Sequence, residues 1–154
     1  MKALIDTNVL LDMISKREPF CWDARKIFEL VRKKKIKGYV SVQSLKDIYF
    51  ISKKFKITPK PRAIIENLSY LFEIIDVRGE DSFSTMMSDI DDYEDGLLLF
   101  SARRNKIEAI ITRNERDFFE GDIIVINPKE IDKYLDTFVE EESIIIDNVF
   151  DHRH

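Results

Sequence analysis

Twenty-nine Asp and Glu residues against two histidines set the chemistry open to this chain. The histidines, His152 and His154, stand in the last three positions, so a Ser-His-Asp or Cys-His site would have to draw its base from there. With a single cysteine, Cys21, a His/Cys zinc site loses nearly all its ligands as well. Polar chemistry is left to carboxylates, and these work best through a hard cation such as Mg²⁺ or Mn²⁺. Two carboxylates about 5 Å apart repel by roughly 3 kcal/mol at an effective dielectric of 20. A cluster of three or four therefore holds protons or holds a divalent cation. Water on such a cation is acidic enough to attack phosphorus, and phosphodiester hydrolysis by that route needs no histidine.

Position along the chain selects among the acids. Asp6 directly follows an apolar strand candidate, Lys2 to Ile5, and Asp47 lies about one helical turn past a second, Gly38 to Val42. Asp91, Asp92, Glu94 and Asp95 open a helix that leads into the strand candidate Glu108 to Ile111, which Asn114 and Asp117 follow. Each has a plainer role open to it. An Asp between strand and helix is commonly an N-cap, and acids in a first helical turn complement the macrodipole. Their coincidence at one edge of one sheet outweighs any single residue.

The elements that must hold them alternate between short β-like runs and helical patterns, the signature of α/β architecture. Helical spacing covers Val9 to Met13, about Phe20 to Lys35 (Trp22, Ile27, Phe28, Leu30, Val31), and Leu45 to Ile51. Thr58-Pro59 reads as a cap and first-turn proline opening a helix with Ile64, Ile65, Leu68 and Leu71. Phe72 to Val77 is a third strand, Asp81 to Ser88 a short helix, Ile123 to Ile126 a fifth strand, and Asn127-Pro128 caps a last helix through Tyr134. Five strands with intervening helices predict a three-layer α/β/α sandwich on a parallel sheet, with its ligand site at the carboxyl ends of the strands. The acidic stretch from Asp136, with Ser143 to Ile146 as an extra edge strand or partner contact, is an extension of residues 136–154 on a domain of residues 1–135.

Composition bounds the setting. The chain of 154 residues is 44% hydrophobic and 35% charged, with no apolar run near the ~20 residues a bilayer requires. Asp6 interrupts the first apolar stretch, so no signal peptide is expected, and one cysteine fits a reducing cytoplasm. Residues 16–62 carry 15 Lys and Arg against 4 Asp and Glu, although the net charge is −4. Such a segment is either a phosphate-binding arm or, at Arg32-Lys33-Lys34-Lys35, the solvated end of a helix.

Ile5-Asp6-Thr7-Asn8-Val9-Leu10-Leu11-Asp12, Ser41-Val42-Gln43-Ser44-Leu45-Lys46-Asp47, Glu94-Asp95-Gly96-Leu97 and Ile111-Thr112-Arg113-Asn114-Glu115-Arg116-Asp117-Phe118 together resemble a PIN domain, in family order and spacing to about Tyr134. The resemblance implies a five-stranded parallel sheet and a Mg²⁺- or Mn²⁺-dependent endoribonuclease. Its catalytic acids would be Asp6, Asp47, Asp95 and Asp117, with the metal on Asp6, Asp95, Asp117 and Glu94. Thr7, Asn8, Thr112 and Asn114 would support them, and Lys33, Lys34, Lys35 and Arg113 would meet RNA. Two positions depart from the pattern: Asp47 is one methylene shorter than the Glu many members carry, and Gly96 replaces a frequent Ala at some cost in helix propensity.

Many PIN proteins of this length are similar to toxins of type II toxin–antitoxin pairs, which implies an antitoxin partner and a homodimer. The alternative is a catalytically silent PIN-like module that binds RNA or protein. Four mutually repelling acids argue against it. A phosphatase of the haloacid dehalogenase type would need a second Asp at position 8, where this chain has Asn8. A receiver-type signalling domain would need its phosphoacceptor after a central strand, a layout the sequence lacks.

Overall fold

The computed structural model describes residues 1–118 and 122–135, the side chain of Asp117 excepted. Five strands, β1 (Lys2–Ile5), β2 (Lys37–Ser41), β3 (Glu73–Ile75), β4 (Ala109–Ile111) and β5 (Ile124–Ile126), form one sheet in the order β3-β2-β1-β4-β5. Every pairing is parallel, with Leu4 set between Tyr39 and Ile110. Both faces are covered, which is why the central strands read as unbroken apolar runs. Ala3, Ile5, Val40, Ala109 and Ile111 enter one core, and Leu4, Tyr39 and Ile110 the other. That alternation is the period-two geometry of a strand expressed in two separate cores.

Helices α1 (Thr7–Ile14), α2 (Cys21–Arg32), α3 (Val42–Lys54) and α4 (Pro61–Leu71) supply the first core through Val9, Leu10, Ile27, Ile48 and Ile64. Helices α5 (Gly79–Met86) and α6 (Tyr93–Arg104) cover the second, α6 through Leu98, Leu99 and Ala102. The three-layer α/β/α arrangement expected from the sequence is therefore present. No helix among the described residues is long and apolar enough to cross a membrane.

Several boundaries differ from the sequence reading for local reasons. The helix expected to open at Pro59 opens at Pro61. A residue before proline is driven out of the helical region, and Lys60 accordingly sits at φ −57°, ψ 149°. Val42 begins α3 rather than ending β2, because the Ser41 hydroxyl caps the helix on the Ser44 amide. Trp22 stands on the outer side of α2, 61% exposed. Asn127 does cap a short 3₁₀ turn, Pro128–Glu130, which continues as helix over 131–135. The expected strand at Ser143 to Ile146 and the 136–154 extension lie outside the described residues.

Gly96 has a packing reason that propensity alone hides. A Cβ built there would fall inside the Thr85 side chain of α5, 2.8 Å from Oγ1 and closer still to Cγ2. Gly96→Ala should thus destabilise the fold by about 1–3 kcal/mol, although Ala is the better helix former by roughly 1 kcal/mol. Denaturant unfolding of Gly96→Ala, Thr85→Ala and the double variant checks this. The double variant should recover most of the loss, and additive losses would place the cause elsewhere.

Candidate functional site

The sheet changes direction of winding at β1: the chain passes to β2 on one side, and β4 pairs on the other. Open α/β sheets form a crevice at such a point, outside the carboxyl ends of the strands. Asp6 is the first residue past β1 and Thr112 the first past β4, so both stand at that crevice. The Asp6 amide donates to the Ile111 carbonyl at 3.0 Å, which fixes the backbone to the neighbouring strand. One carboxylate oxygen accepts from the Thr7 amide at 2.7 Å, the other from the Thr112 hydroxyl at 2.7 Å. The Asn114 amide donates in turn to Thr112 Oγ1 at 3.0 Å. Asp6 is thus an N-cap of α1 and also the buried floor of the crevice, only 6% exposed.

A second set of hydroxyls ties α3 to this floor. Thr7 Oγ1 and Ser44 Oγ lie 2.7 Å apart, and the Ser41 hydroxyl donates to Ser44 Oγ at 3.1 Å. Through that chain the helix carrying Asp47 is held against the helix that Asp6 begins. On the far side, Asp92 caps α6 by accepting from the Asp95 amide at 2.9 Å, and this directs the first turn, with Glu94 and Asp95, to the same opening. Asp6, Asp47, Asp92, Glu94 and Asp95 all line one cavity of about 500 Å³, together with Asn8, Asn114, Arg17 and Ser44.

The charge this gathers is visible in its electrostatics. Burial pushes the Asp6 carboxyl above the ordinary carboxylate range, against the lowering effect of its bonds to Thr112 and Thr7, and nearby Asp92 adds to the rise. Partial loss of hydration raises Glu94, and the carboxylates of Asp47 and Asp92 raise it further. Lys46 on α3 opposes that rise. The donor set is entirely oxygen, which suits a hard divalent cation, and Asn8 Oδ1 is buried without a hydrogen-bond partner among the described residues. The acids share the cavity without three of them closing round one point among the described residues. The Asp117 side chain is outside that set; its backbone lies in the 3₁₀ turn Glu115–Asp117 after β4.

The cationic candidates stand elsewhere. Arg113 turns away from the cavity and grips Asp12 of α1 in a two-pronged ion pair, at 2.7 and 3.1 Å, with its guanidinium 4.0 Å from the Phe20 ring centre. Asp12 is 1% exposed, and a buried acid of that kind commands the nearest arginine. Lys33, Lys34 and Lys35 follow the end of α2 and precede β2, at the amino edge of the sheet, opposite the acids. Charge counts along a chain carry no such direction. Asp92, Arg17 and Ser44 are additions to the candidate set. Ser44 and Asp92 lay within the motif segments, whereas nothing in the sequence marked Arg17.

The sequence profile described as PIN domain matches residues 2–116. A toxin–antitoxin complex from Klebsiella pneumoniae superposes with a TM-score of 0.63 at 24% identity, covering 82% of this chain and 97% of that one. VapBC2 from Rickettsia felis, bound to a DNA fragment from its promoter, gives 0.63 at 18% identity over 82% and 98%. The sarcin–ricin loop cleaving toxin VapC20 of Mycobacterium tuberculosis gives 0.56 at 13% identity over 70% and 86%. At these identities the likeness is one of fold. No curated protein matches the chain significantly in sequence.

Because Asp6 is raised, its protonated form is favoured by folding. Stability then falls as pH rises from the ordinary carboxylate range through the raised value, and the loss is complete above it. In chelator, Asp6→Asn should melt a few degrees above wild type at pH 7, with the gap closing near pH 4. Thermal unfolding across that range checks the sign.

Proposed function

The chain belongs to the PIN domain family, and from that premise we propose that it is a metal-dependent endoribonuclease, the toxin of a type II toxin–antitoxin pair. The observation that carries the chemistry is the convergence of Asp6, Asp47, Glu94 and Asp95, from three different elements, on one cavity at the winding switch of the sheet. A Mg²⁺ or Mn²⁺ ion held by Asp6, Asp95, Glu94 and Asp117 would supply an acidified water and offset charge developing on the phosphate. The protein's own part is positional. Thr112 and the Thr7 amide fix the Asp6 carboxylate by both oxygens, so it meets its ligand without reorganising. Asp47 borders the cavity from α3, 28% exposed, where it can orient water or accept a proton.

RNA as the substrate is supported by the rim. Phe50, 60% exposed, offers an unpaired base a stacking face, and Arg17 on the opposite element offers a phosphate partner. The toxin role rests on the fold neighbours, which include toxin–antitoxin complexes and a toxin that cuts the sarcin–ricin loop. With that role come an antitoxin as protein partner, a homodimer and a cytoplasmic setting.

One observation favours a second reading, a PIN-like module that binds RNA or protein without cutting it: no three described acids enclose a point as a preformed metal site does. Against it stands the electrostatic cost at Asp6 and Glu94, which a binding module has no reason to bear. Incubation of a mixed RNA panel, including a sarcin–ricin hairpin, with wild type and Asp95→Asn in Mn²⁺, Mg²⁺ or chelator separates the two. The nuclease predicts metal-dependent cutting that falls at least about a hundredfold in the variant. Tight RNA binding with equal absence of cutting in both proteins supports the module.

A further inference from the structure

Lys33, Lys34 and Lys35 form an exposed cationic edge that the acidic cavity does not use, and none of them makes an ion pair with a described residue. Their neighbours are already matched: Arg32 pairs with Glu29 and Lys37 with Glu73. Beside them lies a groove lined by Val31, Gly38, Tyr70 and Phe72, with the Tyr70 side chain 80% exposed over it. A concave apolar floor with three unmatched lysines on its rim fits a segment that is acidic and apolar together.

The path of the chain supplies one. Asn127, Pro128 and Lys129 share a cavity with Phe20 and Asp23 at the start of α2, and four residues on Asp132 pairs with Lys26. The segment therefore runs beside α2 in the same direction, and at Leu135 it is heading for the end of α2 where the lysines stand. Lys33 to Lys35 lie roughly 10 to 14 Å beyond Lys26 at helical rise, and Glu140 to Glu142 lie roughly 12 to 15 Å beyond Asp132. An extended chain reaches farther still. Residues 136–154 hold six Asp and Glu against one Arg, with Phe138, Val139, Ile144, Ile145, Ile146, Val149 and Phe150 among them.

We propose that residues 136–154 fold back onto their own chain, with Glu140, Glu141 and Glu142 on Lys33, Lys34 and Lys35 and the apolar residues in the groove beside Tyr70 and Phe72. The surface is thereby withdrawn from RNA, and the basic segment serves as an internal dock. The inference stands apart from the nuclease reading, since it involves none of the cavity residues.

The test uses the full chain, mixed half and half with an isotopically heavy copy and treated with a zero-length carbodiimide cross-linker, followed by peptide mass spectrometry. Amides joining Lys33–Lys35 to Glu140–Glu142 within one isotopic form are expected. In the Glu140→Gln, Glu141→Gln, Glu142→Gln variant they should vanish, and acylation of the three lysines should speed up several-fold. Bridges joining light to heavy chains would overturn the proposal in favour of a second copy as occupant. Absence of these bridges in wild type would overturn it too. So would lysine acylation that the variant leaves unchanged but that single-stranded RNA suppresses in wild type, which would make nucleic acid the occupant.

Discussion

The carboxylate of Asp6, buried at the carboxyl ends of two neighbouring central strands and held only by neutral donors, is the constraint around which this molecule is arranged. A charged group out of water is tolerated when it is paired or bonded on all sides. Here the Thr112 hydroxyl and Thr7 amide satisfy one lone pair on each oxygen and leave the remaining capacity directed at the cavity. Burial still raises its proton affinity, so the fold carries a standing electrostatic cost at its most central point.

Other buried acids show how the same sequence avoids that cost. Asp12 is gripped by Arg113, and Asp81 receives two bonds from Arg104, at 3.2 and 2.8 Å, while donating its acceptor capacity to the Arg78 amide as well. Asp81 and Asp76 together raise the proton affinity of Arg104, as a tight ion pair must. These are structural acids: each has a guanidinium and no cavity. Asp6 has the cavity and no guanidinium in contact, and Glu94 shares the pattern of an acid raised by its acidic neighbours. The distinction between an acid that locks two elements and an acid that waits for a ligand is thus drawn by its partner, and residue type alone does not draw it.

Much of this was legible in the chain. Ala3-Leu4-Ile5 can only be a strand buried on both faces, and an acid placed immediately after it falls at the crevice by topology alone. Ser41 and Asp92 announce their helices because a short polar side chain next to a helical pattern caps it. What stayed hidden depends on direction and on distant partners. Arg113 reads as a free cation until Asp12, a hundred positions away in sequence, is brought beneath it. Lys33 to Lys35 read as an arm for phosphate until the polarity of β2 puts them at the opposite edge of the sheet. Gly96 reads as a weak helix residue until the Thr85 side chain occupies the space a methyl group would need. Pro59 and Pro61 both satisfy the rule for a helix start, and only the second is followed by an unbroken helix.

The account turns on whether the cavity over Asp6 takes up a divalent cation. Anomalous diffraction at the manganese edge, from crystals grown with Mn²⁺, addresses that directly. The account predicts a single strong peak inside the cavity, within bonding distance of a carboxylate oxygen of Asp6 and of at least one acid from α6. A well-ordered cavity with no peak at saturating Mn²⁺, or peaks confined to surface acids away from Asp6, would contradict it.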